Sequence, residues 1–362
     1  MAEMTPATSF VFSPKGPYSL AASIRYLEGF APAAYDSESA ASLEMAFCVD
    51  GYWDPVAVRV HEETGAVHGT VHGGDTLAPA VIAAAVEQLE RILSLDIDGR
   101  GFPDIARHDP VVAQLQSRYP GLRPVCFWSP YEAAVWSVIG QRIRIVQAAA
   151  IKARITAEHG ETIDVGGRMV RAFPNPAMLA QLSTINGLSE TKLQRLRGVA
   201  EAALGGTLGA ARLRSLPRSQ ALEELIAIPG IGPFSAELIL LRGAGDPDFT
   251  PTAEPRLARA MAIAYDMKAP PSAADIAEIS EAWKPYRTWV TLLLRTMLED
   301  ETHEIAGQAI PERQDCDPVR SLQEGWAQVE PPSAGAPPAI IDRGPLCQQH
   351  ASVGWVPLLP GQ

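Results

Sequence analysis

The sequence predicts an α+β fold in three parts: a small antiparallel β-rich domain over residues 1–104, an all-α core over 105–300, and an irregular, poorly ordered tail over 301–362. Three observations predict it. Apolar and polar residues alternate through LEMAFCVDGYWDPVAVRVHEETGAVHGTVHG (43–73), the period of a half-buried strand. From 105 to 300 the apolar residues recur every three to four positions instead, in segments joined by short connections, as in a compact helical bundle. Beyond 301 the period fades into Pro/Gly-rich sequence such as PPSAGAPPAI, which has too few periodic apolar positions to build a core.

Each element has its own signals. Asp50-Gly51 and Glu63-Thr64-Gly65 mark turns between strands, and LAPAVIAAAVEQLERILSL (77–95) is an amphipathic helix that packs on the sheet. In the core, Ser129 followed by Pro130 reads as an N-cap and first helical position, opening one helix that runs over 130–160 and stops at Gly160. The segment 179–206 breaks at Asn186-Gly187 and restarts near Ser189. Segment 221–245 holds two helices about a glycine turn, and EPRLARAMAIAYD (254–266) and the region 275–300 complete the core.

Composition narrows the function classes. No run of about 18 apolar residues is present, so no membrane span is expected, and MAEMTPATSF lacks the basic and apolar regions of a secretory signal. Cys48, Cys126, Cys316 and Cys347 are far apart and form no CxxC pair or Cys/His cluster, which argues against zinc ribbons, iron–sulfur clusters and a disulfide scaffold. A reducing cytoplasm and a monomer are the expectation. The net charge of -12 looks wrong for a nucleic-acid binder, but its distribution matters. Residues 1–100 hold 5 basic against 14 acidic residues and 301–362 hold 3 against 8, whereas 101–300 hold 22 against 20. The middle of the chain is free to carry a basic face for DNA.

The stretch IPGIGPFSAE (228–237) carries the most chemistry. Gly230 and Gly232 permit backbone conformations and close approaches that a Cβ would block, and Pro233 suits the first turn of the following helix. Such a turn aims backbone N–H groups outward together, and an anion, such as a DNA phosphate, fits them without any side-chain charge. An ordinary connection between two helices reads equally well from these residues alone.

The surrounding sequence adds a resemblance. PYEAAVWSVIGQRI, FPNPAMLAQL, INGLSETKLQRLRGVAEAALGG, IPGIGPFSAELILLRGAGDPD and EAWKPYRTWVTLLLRT stand in one order over roughly 105–297. Together they resemble the helix-hairpin-helix DNA glycosylases, specifically the 3-methyladenine DNA glycosylase II type. The resemblance implies an enzyme of base-excision repair that flips a damaged base out of double-stranded DNA, because the glycosidic bond is unreachable in the stack, and cleaves that bond. It gives the turn Pro229, Gly230, Ile231 and Gly232 the task of holding the phosphate backbone, with room for a monovalent cation on the backbone of 229–232 and no required cofactor. Gln141 and Arg142 match the position that contacts DNA and fills the gap left by the flipped base.

The same resemblance sorts the chemistry. Family members that also nick the strand carry a Schiff-base lysine just after the hairpin; Phe234 stands there, which implies a monofunctional enzyme. The family's catalytic aspartate corresponds to Glu254, a carboxylate one methylene longer, with Asp246 and Asp248 as nearby acids in the preceding loop. Its role would be to stabilise the positive charge that builds on the sugar as the base leaves. The base-pocket positions are Phe234, Leu238 and Arg295, one aromatic of three, with Trp128, Tyr131, Trp136 and Trp289 as further aromatics that also fit a core. Two readings stand: a glycosylase acting on alkylated or damaged purines, and a lesion- or structure-binding protein that keeps the fold with weak or lost chemistry.

Overall fold

The computed structural model describes residues 8–29, 41–74 and 77–302. The expected irregular tail therefore falls, from residue 303 onward, outside the described residues, as do Cys316 and Cys347.

Four strands, β1 (Thr8–Phe12), β2 (Ser42–Cys48), β3 (Pro55–Glu63) and β4 (Ala66–His72), form an antiparallel sheet in the order β1-β4-β3-β2. The turns lie at the expected glycines, Gly51 after Asp50 and Gly65 after Thr64, all but Asp50 at positive φ. The alternation of β3 fixes what each face buries. Val56, Val58 and Val60 enter the main core, facing the helices Leu20–Glu28 and Pro79–Ile92, while Ala57 points to the opposite face. That opposite face is covered by a feature the helical reading of 105–300 did not contain. Strands β5 (Thr162–Val165) and β6 (Arg168–Arg171) pair across Gly166-Gly167, both at positive φ, and set Ile163 and Val165 over Ala46, Cys48 and Ala57. The all-α expectation is corrected here by a two-residue hairpin whose Gly-Gly turn matches strand twist.

The sheet is tied to the helical core by buried polar groups. The Gln88 amide donates to the carbonyls of Cys48 at 3.2 Å and Trp128 at 2.9 Å, and the Asp50 carboxylate accepts the Ala210 N–H at 2.8 Å. At the centre of the core lies Pro130–Ile139, buried along its whole length and capped by Ser129, whose Oγ accepts the Glu132 N–H at 3.1 Å. The helices Glu190–Leu204, Ile145–His159 and Pro233–Leu238 pack around it. The last described helix, Arg287–Thr302, lies against Pro255–Ala264. Among the described residues no helix is long and apolar enough to cross a membrane.

The single helix expected over 130–160 is two. It stops at Ile139 and resumes at Ile145, with Arg142 in the left-handed region at φ 56°. The carbonyls freed by the break are satisfied from another helix: Lys192 Nζ donates to Ile139 O at 2.8 Å and to Gln141 O at 2.6 Å. Burial, and secondarily the neighbouring Arg195, lowers the pKa of that ammonium. Periodicity cannot report such a break, because the apolar spacing runs on through it.

Candidate active site and nucleic-acid interface

The hairpin joins the helices Arg218–Ile226 and Pro233–Leu238. Ile228 and Ile231 are buried and pin the turn to the core, and the Ile231 N–H donates to Ile228 O at 3.0 Å. Ile231 can therefore meet a partner only through its backbone. Pro229 is exposed, and the N–H groups of Gly230 and Gly232 have no partner among the described residues. The two glycines are needed for different reasons. Gly230 sits at φ 92°, and a Cβ there would lie 2.5 Å from Arg195 Cδ. Gly232, at φ -97°, has an ordinary backbone, and a Cβ on it would meet nothing within 4 Å. Gly232 thus keeps clear a patch of surface outside the protein.

The loop 140–144 lies against this turn. Gln141 Nε2 donates to Gly230 O at 2.6 Å, and its Oε1 accepts from Arg195 Nη1 at 2.6 Å. Gln141 is thus a brace between hairpin and loop, and the exposed, left-handed Arg142 is the residue next to it. The sequence-predicted contacts at 141–142 and 229–232 are therefore neighbours in space.

The remaining predicted residues share one cavity, lined among others by Phe234, Leu238, Glu254 and Arg295. Glu254 is the N-cap of Pro255–Ala264 and only 8% exposed. Its Oε1 accepts the Arg256 N–H at 3.2 Å, and its Oε2 is ion-paired with Arg295 Nη1, itself buried. The reach of the longer side chain thus serves two contacts, the helix start and an arginine on another helix. Two further charged residues line the cavity and were not anticipated, Glu237 and Arg242. The formal charges of the four balance. Glu237 had a faint signal, a single acid one helical turn after Phe234 in the apolar run FSAELILL. Just beyond it the backbone widens into a π-helical turn over Ile239–Gly243, closed by the Ala244 N–H on Ile239 O at 2.8 Å; such turns recur at functional sites.

Other candidates are placed elsewhere. Trp128, Tyr131, Trp136 and Trp289 are buried in the core and do not line this cavity. Asp246 pairs with Arg218 at 3.0 Å and Asp248 with Arg287 at 2.8 Å, so both hold the loop ahead of Glu254 in place.

No protein-family model matches the chain. It is 28% identical over 218 residues to a DNA-3-methyladenine glycosylase of Bacillus subtilis, covering 59% of this chain and 72% of that one. To the DNA-3-methyladenine glycosylase 2 of Escherichia coli it is 29% identical over 220 residues, 59% of this chain and 71% of that one. Its fold superposes on a 3-methyladenine DNA glycosylase from Archaeoglobus fulgidus with a TM-score of 0.65, at 22% identity, over 80% of this chain and 98% of the other.

Proposed function

We propose that this chain, similar in sequence to DNA-3-methyladenine glycosylases and sharing the fold of one, is a monofunctional DNA glycosylase of base-excision repair that removes alkylated or otherwise damaged purines. One observation carries the reading: Glu254 and Phe234 line the same cavity, and Phe234 is two residues past the outward-facing hairpin glycine Gly232. A duplex held by its phosphates at Gly230 and Gly232 would present an extruded nucleotide to that cavity. Arg142 would enter the space the base leaves. Glu254 would face the sugar and offset the positive charge that develops as the glycosidic bond breaks. A cationic alkylated base leaves readily, so one carboxylate suffices. Phe234 cannot form a Schiff base, so the product is an abasic site on an intact strand. The protein would act as a monomer in the cytoplasm.

The hairpin carbonyls are hard oxygen donors of the kind an alkali cation takes. Those of Gly230 and Gly232 already accept hydrogen bonds, from Gln141 and from the Ala236 N–H. A structural monovalent cation on the backbone of 229–232 would use the other two, and no chemical step passes through it.

The protein is expected to release methylated purines from alkylated duplex DNA, seen by chromatography of the freed bases, and to give no borohydride-trapped complex. Absence of released base would sink the reading, and a trapped complex would sink its monofunctional part. A second reading has one observation in its favour. Because Arg295 already neutralises Glu254, a lesion-binding protein with weak chemistry would look the same; binding to abasic-analogue DNA without base release would favour it.

The hairpin gives a separate expected result. Gly232→Val should leave stability within about 0.5 kcal/mol, since backbone and space both allow it. It should weaken duplex binding roughly 10- to 100-fold through loss of a charge-assisted hydrogen bond. Gly230→Val should lose stability as well, because its φ and Arg195 forbid a side chain. Unchanged affinity in Gly232→Val, by fluorescence anisotropy, would remove the hairpin from the interface.

A further inference from the structure

The carboxylate that Glu237 adds to the cavity is met, among the described residues, by backbone and hydroxyl donors of one short segment. Both oxygens accept the Thr252 N–H at 3.1 Å, Oε1 accepts the Thr252 hydroxyl at 2.5 Å, and Oε2 accepts the Ala253 N–H at 2.9 Å. The side chain is 6% exposed. A buried carboxylate is costly unless its lone pairs are satisfied, and charge-assisted hydrogen bonds are the strong kind. Placed so, these bonds tie the segment 252–253 to the helix Pro233–Leu238, the helix that also carries Phe234 and Leu238. The next residue is Glu254. No regular element stands between Gly243 and Pro255, so the loop takes its position from such side-chain ties.

We propose that Glu237 is a positioning residue for base excision: it fixes the backbone just ahead of Glu254 to the wall of the base cavity, so that the Glu254 carboxylate is held at the sugar of a bound nucleotide. The inference rests on the reading of Glu254 as the carboxylate that serves excision. Two contacts orient Glu254 beyond its Cα, the Arg256 N–H and Arg295; the Glu237 clamp orients the Cα itself. Misplacement of a reacting group by about 1 Å costs on the order of 100-fold in rate. The clamp also accounts for an acid in a cavity whose other acid is already paired: Glu237 spends its charge on the loop.

The test pairs Glu237→Gln, which keeps the size and removes half of the acceptor capacity, with Thr252→Val, which removes only the hydroxyl donor. Single-turnover release of methylated purines should fall about 30- to 100-fold in Glu237→Gln and by a smaller factor in Thr252→Val. Affinity for abasic-analogue duplex should stay within about twofold, since the hairpin is untouched. On a Glu254→Gln background the added loss from Glu237→Gln should shrink to under about threefold, because residues acting as a unit are not additive. A general loss of fold would not produce that pattern. Amide exchange at Thr252 and Ala253 should quicken in Glu237→Gln. Release within about threefold of the parent in a folded Glu237→Gln protein, or a full multiplicative loss on the Glu254→Gln background, overturns the inference. If the parent protein releases no base, the proposed function falls, and amide exchange still decides the clamp: unchanged protection at 252–253 refutes it, faster exchange upholds it. If Glu237→Gln does not fold, Thr252→Val decides by the same release and exchange measurements.

Discussion

Glu254→Gln is expected to lower single-turnover release of methylated purines by about 100- to 1,000-fold, the range found when one preorganised electrostatic partner of a developing charge is removed. Affinity for abasic-analogue duplex should change by less than about threefold, because the backbone contacts proposed for Gly230 and Gly232 do not involve this side chain. The substitution keeps the shape. A glutamine oxygen can still accept from the Arg256 N–H or from Arg295, the two donors that hold the parent carboxylate. What it removes is the negative charge that the proposed mechanism sets beside the sugar. A variant that releases base as fast as the parent would show that the carboxylate does not take part, and the lesion-binding reading would then stand in place of the enzyme. Calorimetry on the same samples separates a loss of chemistry from a loss of fold.

The candidate site was legible where the signal is local. The hairpin glycines, the proline after them and Pro255 behind Glu254 are turn and cap chemistry, readable within a few residues, and the structure has a turn and a helix start at those places. Local signals were present but outweighed at Gly166-Gly167, where a two-residue hairpin stood inside a long helical stretch. The break after Ile139 was not legible from spacing. It exists because Lys192 answers its carbonyls and the Gln141 side chain ties it to a turn 89 residues away. Arg295 and Glu254 both reached the site by resemblance, but their pairing did not: they lie 41 residues apart, and neither carries a sequence mark of the other. The Glu237 clamp is also invisible at sequence level, since its donors are mostly backbone N–H groups, which every residue but proline has.

Arg295→Met is expected to cost about 3–5 kcal/mol of stability, the penalty for leaving one member of a buried ion pair without the other. Both side chains are nearly sequestered, 4% and 7% exposed, so the effect should not be diluted by solvent as at a surface pair. Methionine fills much of the vacated volume, so the loss reports the charge rather than a cavity. Adding Glu254→Gln should recover most of that loss, because the buried negative charge goes with it, and urea unfolding of the four proteins closes the cycle. A stability change under about 1 kcal/mol would mean that Arg295 is not what balances the buried Glu254 charge.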